Sequence, residues 1–220
     1  MNSIWNAIKL DFLSARSSLL IAVAMLVVAS VISVFVQQPI VVIVYVMMFS
    51  TFMSGMVFSA DEKNNLHKLF GTLPMRRTDW VTARYLYAMV MGLCLFVLAA
   101  AAYPIISMIA GIKIDYLMLS IFIGAGFLYY CFAVSIIYPV YIRVSFSKAY
   151  MFTMIPLALI GVGVMIVARK ADLSLSFLSD IMQFFSENQS FILIVCFIAG
   201  VILVAISAFI ANTFYRHKEL

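Results

Sequence analysis

The chain has 220 residues, of which 66% are hydrophobic and only 10% charged, with 14 Lys+Arg against 9 Asp+Glu and a mean hydropathy of +1.15. A soluble domain carries about 25% charged residues, so this composition cannot clothe a water-facing surface and excludes a soluble globular fold. Asp, Glu, Lys and Arg are absent from 17–60, 85–112, 116–142, 149–168 and 188–215, runs that reach or exceed the roughly 20 residues a helix needs to cross about 30 Å of hydrocarbon.

In chain order, Ile4, Trp5, Ile8, Phe12 and Leu13 recur at helical spacing while Asn2, Asn6, Lys9 and Asp11 take the other face, the pattern of a helix lying in the membrane interface over 1–16. The first charge-free run is long enough for two spans, 18–36 and 40–59, joined at Gln37-Gln38-Pro39. It exceeds the apolar core of a signal peptide and lacks a clear small-residue cleavage site, so it is expected to stay in the mature protein. A polar cytoplasmic loop, 61–84, follows, and then spans over 85–110, 116–138, 150–167 and 191–214. Each run is apolar on every face, which excludes the alternating 10-residue strands of a membrane barrel. The expected fold is an all-α integral membrane protein with six transmembrane helices, the domain of 17–220 following the interfacial helix.

Placing both termini in the cytoplasm puts 11 Lys and Arg on that side and leaves Lys113, Arg169 and Lys170 on the other, as the positive-inside rule requires. The net charge of +5 is therefore a topology signal with some attraction to anionic lipid heads, and calls for no nucleic acid. The segment 171–190 is too polar to span, yet Leu175, Leu178, Ile181, Met182 and Phe185 keep 3-4 spacing, as in a short amphipathic helix dipping into the outer leaflet.

Little catalytic chemistry is available. Cys94, Cys131 and Cys196 lie apart within spans and read as packing residues. His67 and His217 have no partner at metal-ligand spacing, so no metal site is expected, and Ser54-Gly55 has no intramembrane histidine to act as base. The spans read as free of ionisable side chains, which disfavours an ion-coupled carrier. No G-x-x-x-x-G-K-[ST] loop is present, so the chain cannot cradle ATP phosphates in that way. Pro104, Pro139 and Pro156 should kink helices, whereas Gly124-Ala125-Gly126 and Gly161-Val162-Gly163 permit close helix approach. Tyr129 and Tyr130 bring hydroxyls into the fourth span as candidate path-lining residues. With 15 Met and 19 Phe, the chain suits an adaptable path for an amphipathic cargo, although such residues equally serve as lipid-facing side chains.

The loop 61–84 carries the most information. Ser59-Ala60-Asp61-Glu62 fits a capping box, Leu66, Leu69, Phe70 and Leu73 follow at helical spacing, and Gly71 and Pro74 end the run. A basic flank of Arg76, Arg77 and Arg84 comes next, with Thr78 as an N-cap for the helix entering the third span. Such a helix is either a membrane-surface element or a docking element for a cytoplasmic protein.

Three elements of this region, Asp61-Glu62-Lys63-Asn64-Asn65, Leu73-Pro74-Met75-Arg76-Arg77 and Arg84-Tyr85, together with the interfacial helix, six spans and the basic tail Tyr215-Arg216-His217-Lys218-Glu219, resemble the permeases of ABC-2 type exporters. The resemblance implies a plasma-membrane transport subunit that hydrolyses nothing itself. It also implies a second permease chain, read as a homodimer, and two copies of a separate nucleotide-binding ATPase that hold ATP and Mg, this chain binding no cofactor. By the same resemblance, Asp61, Glu62, Asn64, Asn65, Leu66, Leu69 and Phe70 belong to the coupling helix that seats on the ATPase, and residues 1–16 form the elbow helix. Leu178, Ile181, Met182 and Phe185 would belong to an outer gate, and the cargo would be an amphipathic peptide such as a toxin or antimicrobial peptide. Two alternatives from the residues alone are an ATP-independent carrier or channel and a non-transporting membrane anchor for a cytoplasmic partner.

Overall fold

A backbone inside hydrocarbon has no water to bond, so a long apolar run lowers its free energy by closing every N–H on a carbonyl four residues back. In a computed structural model, which describes residues 2–64, 77–144, 146–149 and 187–216, those runs are helices. They are α1 (Asn2–Ser14), α2 (Arg16–Val36), α3 (Val41–Asn64), α4 (Arg77–Ile109), α5 (Tyr116–Arg143), the single turn α6 (Phe146–Ala149) and α7 (Gln189–Arg216). Among the described residues there is no strand, and five helices, α2 to α5 and α7, are long and apolar enough to cross a membrane. The span expected over 150–167, with Pro156 and Gly161-Val162-Gly163, lies outside the described residues.

Helix limits differ from the sequence expectation at the polar loop. α3 runs unbroken through Ser59 to Asn64, so Ser59 is an interior residue rather than the cap of a separate helix. α4 begins at Arg77, which places Thr78 inside it, where its carbonyl accepts from Thr82 Oγ1 at 2.8 Å. Extending a formed helix by one residue adds a hydrogen bond without a new nucleation cost, and this outweighs local capping signals. At the opposite end, Gln37 closes α2 in the left-handed conformation at φ 55°, and the N–H groups of Gln37 and Gln38 bond Val34 O and Ser33 O, each at 3.1 Å. Asp115 caps α5, accepting from Met118 N at 3.0 Å.

Serine hydroxyls inside the helices are satisfied locally, as at Ser33 on Ala29 O, Ser54 on Thr51 O and Ser107 on Tyr103 O. Pro104 and Pro139 both sit within continuous helices.

α5 and α7 form the most extensive helix pair, and they run parallel. Ser120 meets Gln189, Gly124 meets Cys196, Cys131 meets Gly200, and Ser135 meets Ser207, each partner further along both helices. Gly124 and Gly200 supply the close approach, and the Phe127 and Phe197 rings stack at 4.2 Å between them. The C-terminal end of α5 and the N-terminal end of α7 therefore lie at opposite ends of the bundle.

α2, α3 and α4 build a second layer around Ala22, Ala29, Val42, Val46, Met53, Leu95 and Ala99. The apolar cores of the two layers meet along α4, where Gly92 faces the ring of Tyr130. A methyl group at position 92 would overlap that ring, which is held in place because Tyr130 Oη donates to Ala88 O at 2.7 Å. Gly92→Ala should cost about 1–3 kcal/mol of stability. Gly124→Ala, with its nearest neighbour at 3.7 Å, should cost clearly less, a contrast that thermal unfolding of the two purified variants will test.

Candidate functional site

Arg84 lies two turns into α4 and is completely buried. A guanidinium so placed must meet carboxylates or cost several kcal/mol. Two approach it from different helices. Asp61, near the end of α3, accepts from Arg84 Nη2, and Asp11 of α1 places Oδ1 3.3 Å from the same nitrogen. Both aspartates are themselves buried, Asp11 at 2% and Asp61 at 8% exposure. The aromatic rings of Phe58 and Trp80 cover the guanidinium, with centroids 5.2 and 5.0 Å from Cζ, an arrangement that favours a planar delocalised cation over an ammonium.

Burial pushes the Asp11 carboxyl up to about 7, with Arg84 opposing the rise and Asp61 adding to it. Its Oδ2 is buried and makes no hydrogen bond among the described residues, and the same holds for the hydroxyl of Tyr87. Tyr87 is fully buried and packs edge-on against Phe12, at 4.9 Å.

Further contacts tie the same end of the bundle together. Glu62 accepts from Ser147 N at 2.9 Å and from Ser147 Oγ at 2.6 Å, which links the end of α3 to α6. Tyr138 Oη donates to Ser54 O at 2.9 Å, joining α5 to α3. Tyr85 Oη lies 2.8 Å from Ser207 Oγ, and since Ser207 donates to Ser135 O, Tyr85 is the donor to Ser207. Rings of Phe58, Tyr138, Tyr141 and Phe146 pack around these bonds at 5.1–5.2 Å centroid spacing. Four tertiary connections thus converge where the polar loop leaves and re-enters the bundle.

Of the residues read from sequence, Asp61, Glu62 and Asn64 lie on the last turn of α3. Asp61 points inward to Arg84, Glu62 reaches α6, and Asn64 is exposed. Asn65, Leu66, Leu69, Phe70 and Arg76 fall outside the described residues, as do Leu178, Ile181, Met182 and Phe185, while Arg77 opens α4. Arg84, read with Arg76 and Arg77 as a cytoplasmic basic flank, is buried. It is the centre of the ionic junction, because the carboxylates of α1 and α3 neutralise it more cheaply than partial exposure could. Asp61 and Arg84 lie on helices long and apolar enough to cross a membrane, just outside the spans expected over 40–59 and 85–110.

Asp11 likewise leaves the polar face of α1 for the buried one. Ala7, Asp11 and Ala15 stand four residues apart and are all buried, with Ala7 packed against Ala83; this small-residue stripe through an acidic position was the available signal. Trp5 and Leu13, assigned to the apolar face, are exposed at 59% and 74%. Tyr130 is sealed between α4 and α5 by its bond to Ala88, and Tyr129 is buried too. An apolar cavity among the described residues, between α2, α3 and α4, is lined by Met25, Leu26, Tyr45, Phe49, Met53 and Leu95, among others. Among the described residues, no group of His, Cys, Asp and Glu could hold a metal ion.

The sequence profile described as ABC-2 family transporter protein matches residues 6–216, and the chain belongs to that family. It is a multi-pass plasma-membrane permease of an ABC transporter, a class that works with an ATPase partner. No curated protein and no solved structure matches the chain.

Removing Arg84 would leave two buried carboxylates facing each other. Arg84→Met should lower stability by about 3–5 kcal/mol. Adding Asp61→Asn should recover part of that loss by removing one of the orphaned charges. Unfolding of the single and double variants in the same detergent will measure the coupling, and a double variant no more stable than Arg84→Met would contradict it.

Proposed function

We propose that this chain is the translocating half of an exporter driven by a separate ATPase, and that residues 61–84 form the element through which the ATPase acts. The observation that carries the coupling role is the contact between Arg84 and Asp61. It pins together the stems on either side of 65–76, the last turn of α3 and the second turn of α4. A segment with pinned stems transmits a push as displacement of both helices, whereas a loosely held loop would absorb it. The bond between Glu62 and Ser147 carries the same push to α6.

On this reading both termini and the loop are cytoplasmic, in keeping with the basic residues gathered there. Six spans are expected, and the parallel register of α5 and α7 supports a further crossing between them. Leu66, Leu69 and Phe70 form the apolar seat in a cleft of the ATPase, flanked by Asn65 and Arg76. ATP and Mg belong to that partner. Two copies of this chain enclose the path, with α1 as the elbow helix and Leu178, Ile181, Met182 and Phe185 at its outer closure. The cargo is amphipathic, in keeping with a chain rich in Met and Phe, and a membrane-active peptide is the class that best fits such a path.

Replacing Leu69 and Phe70 together with Asp places two charges in the apolar seat. The nucleotide-binding protein recovered with the tagged chain should fall at least about tenfold, the scale of an anchor worth 1.4 kcal/mol or more, while membrane insertion stays intact. Undiminished recovery of the ATPase would remove the docking role from this helix.

A further inference from the structure

Helical periodicity alone groups Trp5, Ile8, Phe12 and Leu13 against Lys9 and Asp11, and the structure divides both sets. Ala7, Ile8, Asp11 and Ala15 are buried, with Ala7 packed against Ala83 and the Phe12 ring 4.9 Å from that of Tyr87, so this side of α1 is seated along the first turns of α4. Trp5, Lys9 and Leu13 are exposed on the other side. They stand four residues apart, in one stripe, and Lys9 Nζ lies 5.7 Å from the centre of the Trp5 ring. Arg16, the first residue of α2, is exposed just beyond Leu13.

Burial changes the charge of this face. Asp11 is the one acidic residue between positions 1 and 60, where the basic residues are Lys9 and Arg16. With Asp11 turned inward against Arg84, the outward side of α1 and the start of α2 present two cations and no carboxylate of their own segment. A helix that is nearly balanced in sequence is cationic on its free side.

The position of the face identifies what meets it. α1 runs beside the start of α4, where the span expected over 85–110 begins. Directly after Arg16, α2 turns Leu20, Val23, Val27 and Val31 outward, a stripe that faces acyl chains in a multi-pass membrane protein. The exposed face of α1 is continuous with that stripe. An indole belongs at headgroup depth, a leucyl side chain reaches the acyl border, and two cations at the same level complement phosphates. A soluble protein could meet the cations, but it could not follow the same surface into hydrocarbon.

We propose that the outward face of α1 is a docking surface for anionic phospholipid, in which Lys9 and Arg16 engage headgroup phosphates while Trp5 and Leu13 enter the border between headgroups and acyl chains. The helix is then held from both sides, by Arg84 on Asp11 within the bundle and by an anionic leaflet outside it. The attraction is electrostatic at an exposed surface and weakens as salt is raised. It concerns α1 and the leaflet alone and stands apart from the identity of the cargo or the ATPase.

The test supplies the full chain, in mild detergent, with equal parts of phosphatidylcholine and phosphatidylglycerol, and native mass spectrometry counts the lipid retained. The parent should keep phosphatidylglycerol in preference. Lys9→Gln and Arg16→Gln, both at exposed positions, should each lower that preference about fivefold, the scale of one cation near an anionic surface, with the unfolding temperature unchanged. A second measurement locates the lipid. In nanodiscs whose phosphatidylglycerol is brominated on its acyl chains, quenching of the two tryptophans, Trp5 and Trp80, is compared with that in Trp5→Phe. Most of the quenching should disappear in Trp5→Phe and should weaken when Lys9→Gln and Arg16→Gln are combined. Three results would each overturn the proposal: equal retention of the two lipids by the parent, a preference that survives both charge substitutions, or a Trp5 that brominated lipid leaves unquenched and a soluble protein shields instead.

Discussion

Everything at the polar end of this bundle depends on where one guanidinium goes. Arg84 enters the helix bundle with a charge that cannot be left in an apolar medium, and two aspartates from separate helices neutralise it under a cover of Phe58 and Trp80. An apolar replacement of the whole group could be equally stable, because desolvating three charges consumes most of what their attraction returns. What ionic groups supply and apolar ones do not is direction. The contact with Asp61 fixes the register between the end of α3 and the start of α4, and that with Asp11 fixes α1 over both.

This register matters because residues 65–76 leave from one of those helices and return to the other. On the proposed coupling role, the connecting element must be stiff where it joins the spans. The ionic contact, the bond from Glu62 to Ser147 and the tyrosine bonds to Ser54, Ala88 and Ser207 supply that stiffness without a large soluble domain. Elsewhere the helices need no such fastening. α5 and α7 pack through glycine and ring stacking, and the outward faces of α2 and α7 carry large apolar side chains such as Phe35 and Phe209.

Much of the fold was legible in the sequence because charge exclusion from hydrocarbon is a strong rule. Four of the five charge-free runs hold the five helices long and apolar enough to cross a membrane, and Gln37-Gln38-Pro39 and Asp115 mark where two of them turn and begin. The same rule misled at the ends of the helices. Asp61 and Arg84 looked like the solvent-facing limits of a loop because each alone is polar; only their proximity across 23 positions makes burial affordable for both. Asp11 was assigned to a polar face on amphipathic grounds, although its spacing with Ala7 and Ala15 places it on a close-packed one. The mid-span hydroxyl of Tyr130 needs a partner, and that partner is a backbone carbonyl on the neighbouring helix, which no single-chain pattern reveals.

Membership of the ABC-2 family makes a lone chain an incomplete machine, and the composition of the assembled complex is the most direct check on how it works. Native mass spectrometry of the complex, extracted from its own cell membrane in mild detergent, reads that composition without knowledge of the cargo. Two copies of the 24.6 kDa chain together with two copies of a nucleotide-binding protein are expected. A chain recovered intact and folded, but repeatedly without any nucleotide-binding partner, would contradict an ATPase-driven permease.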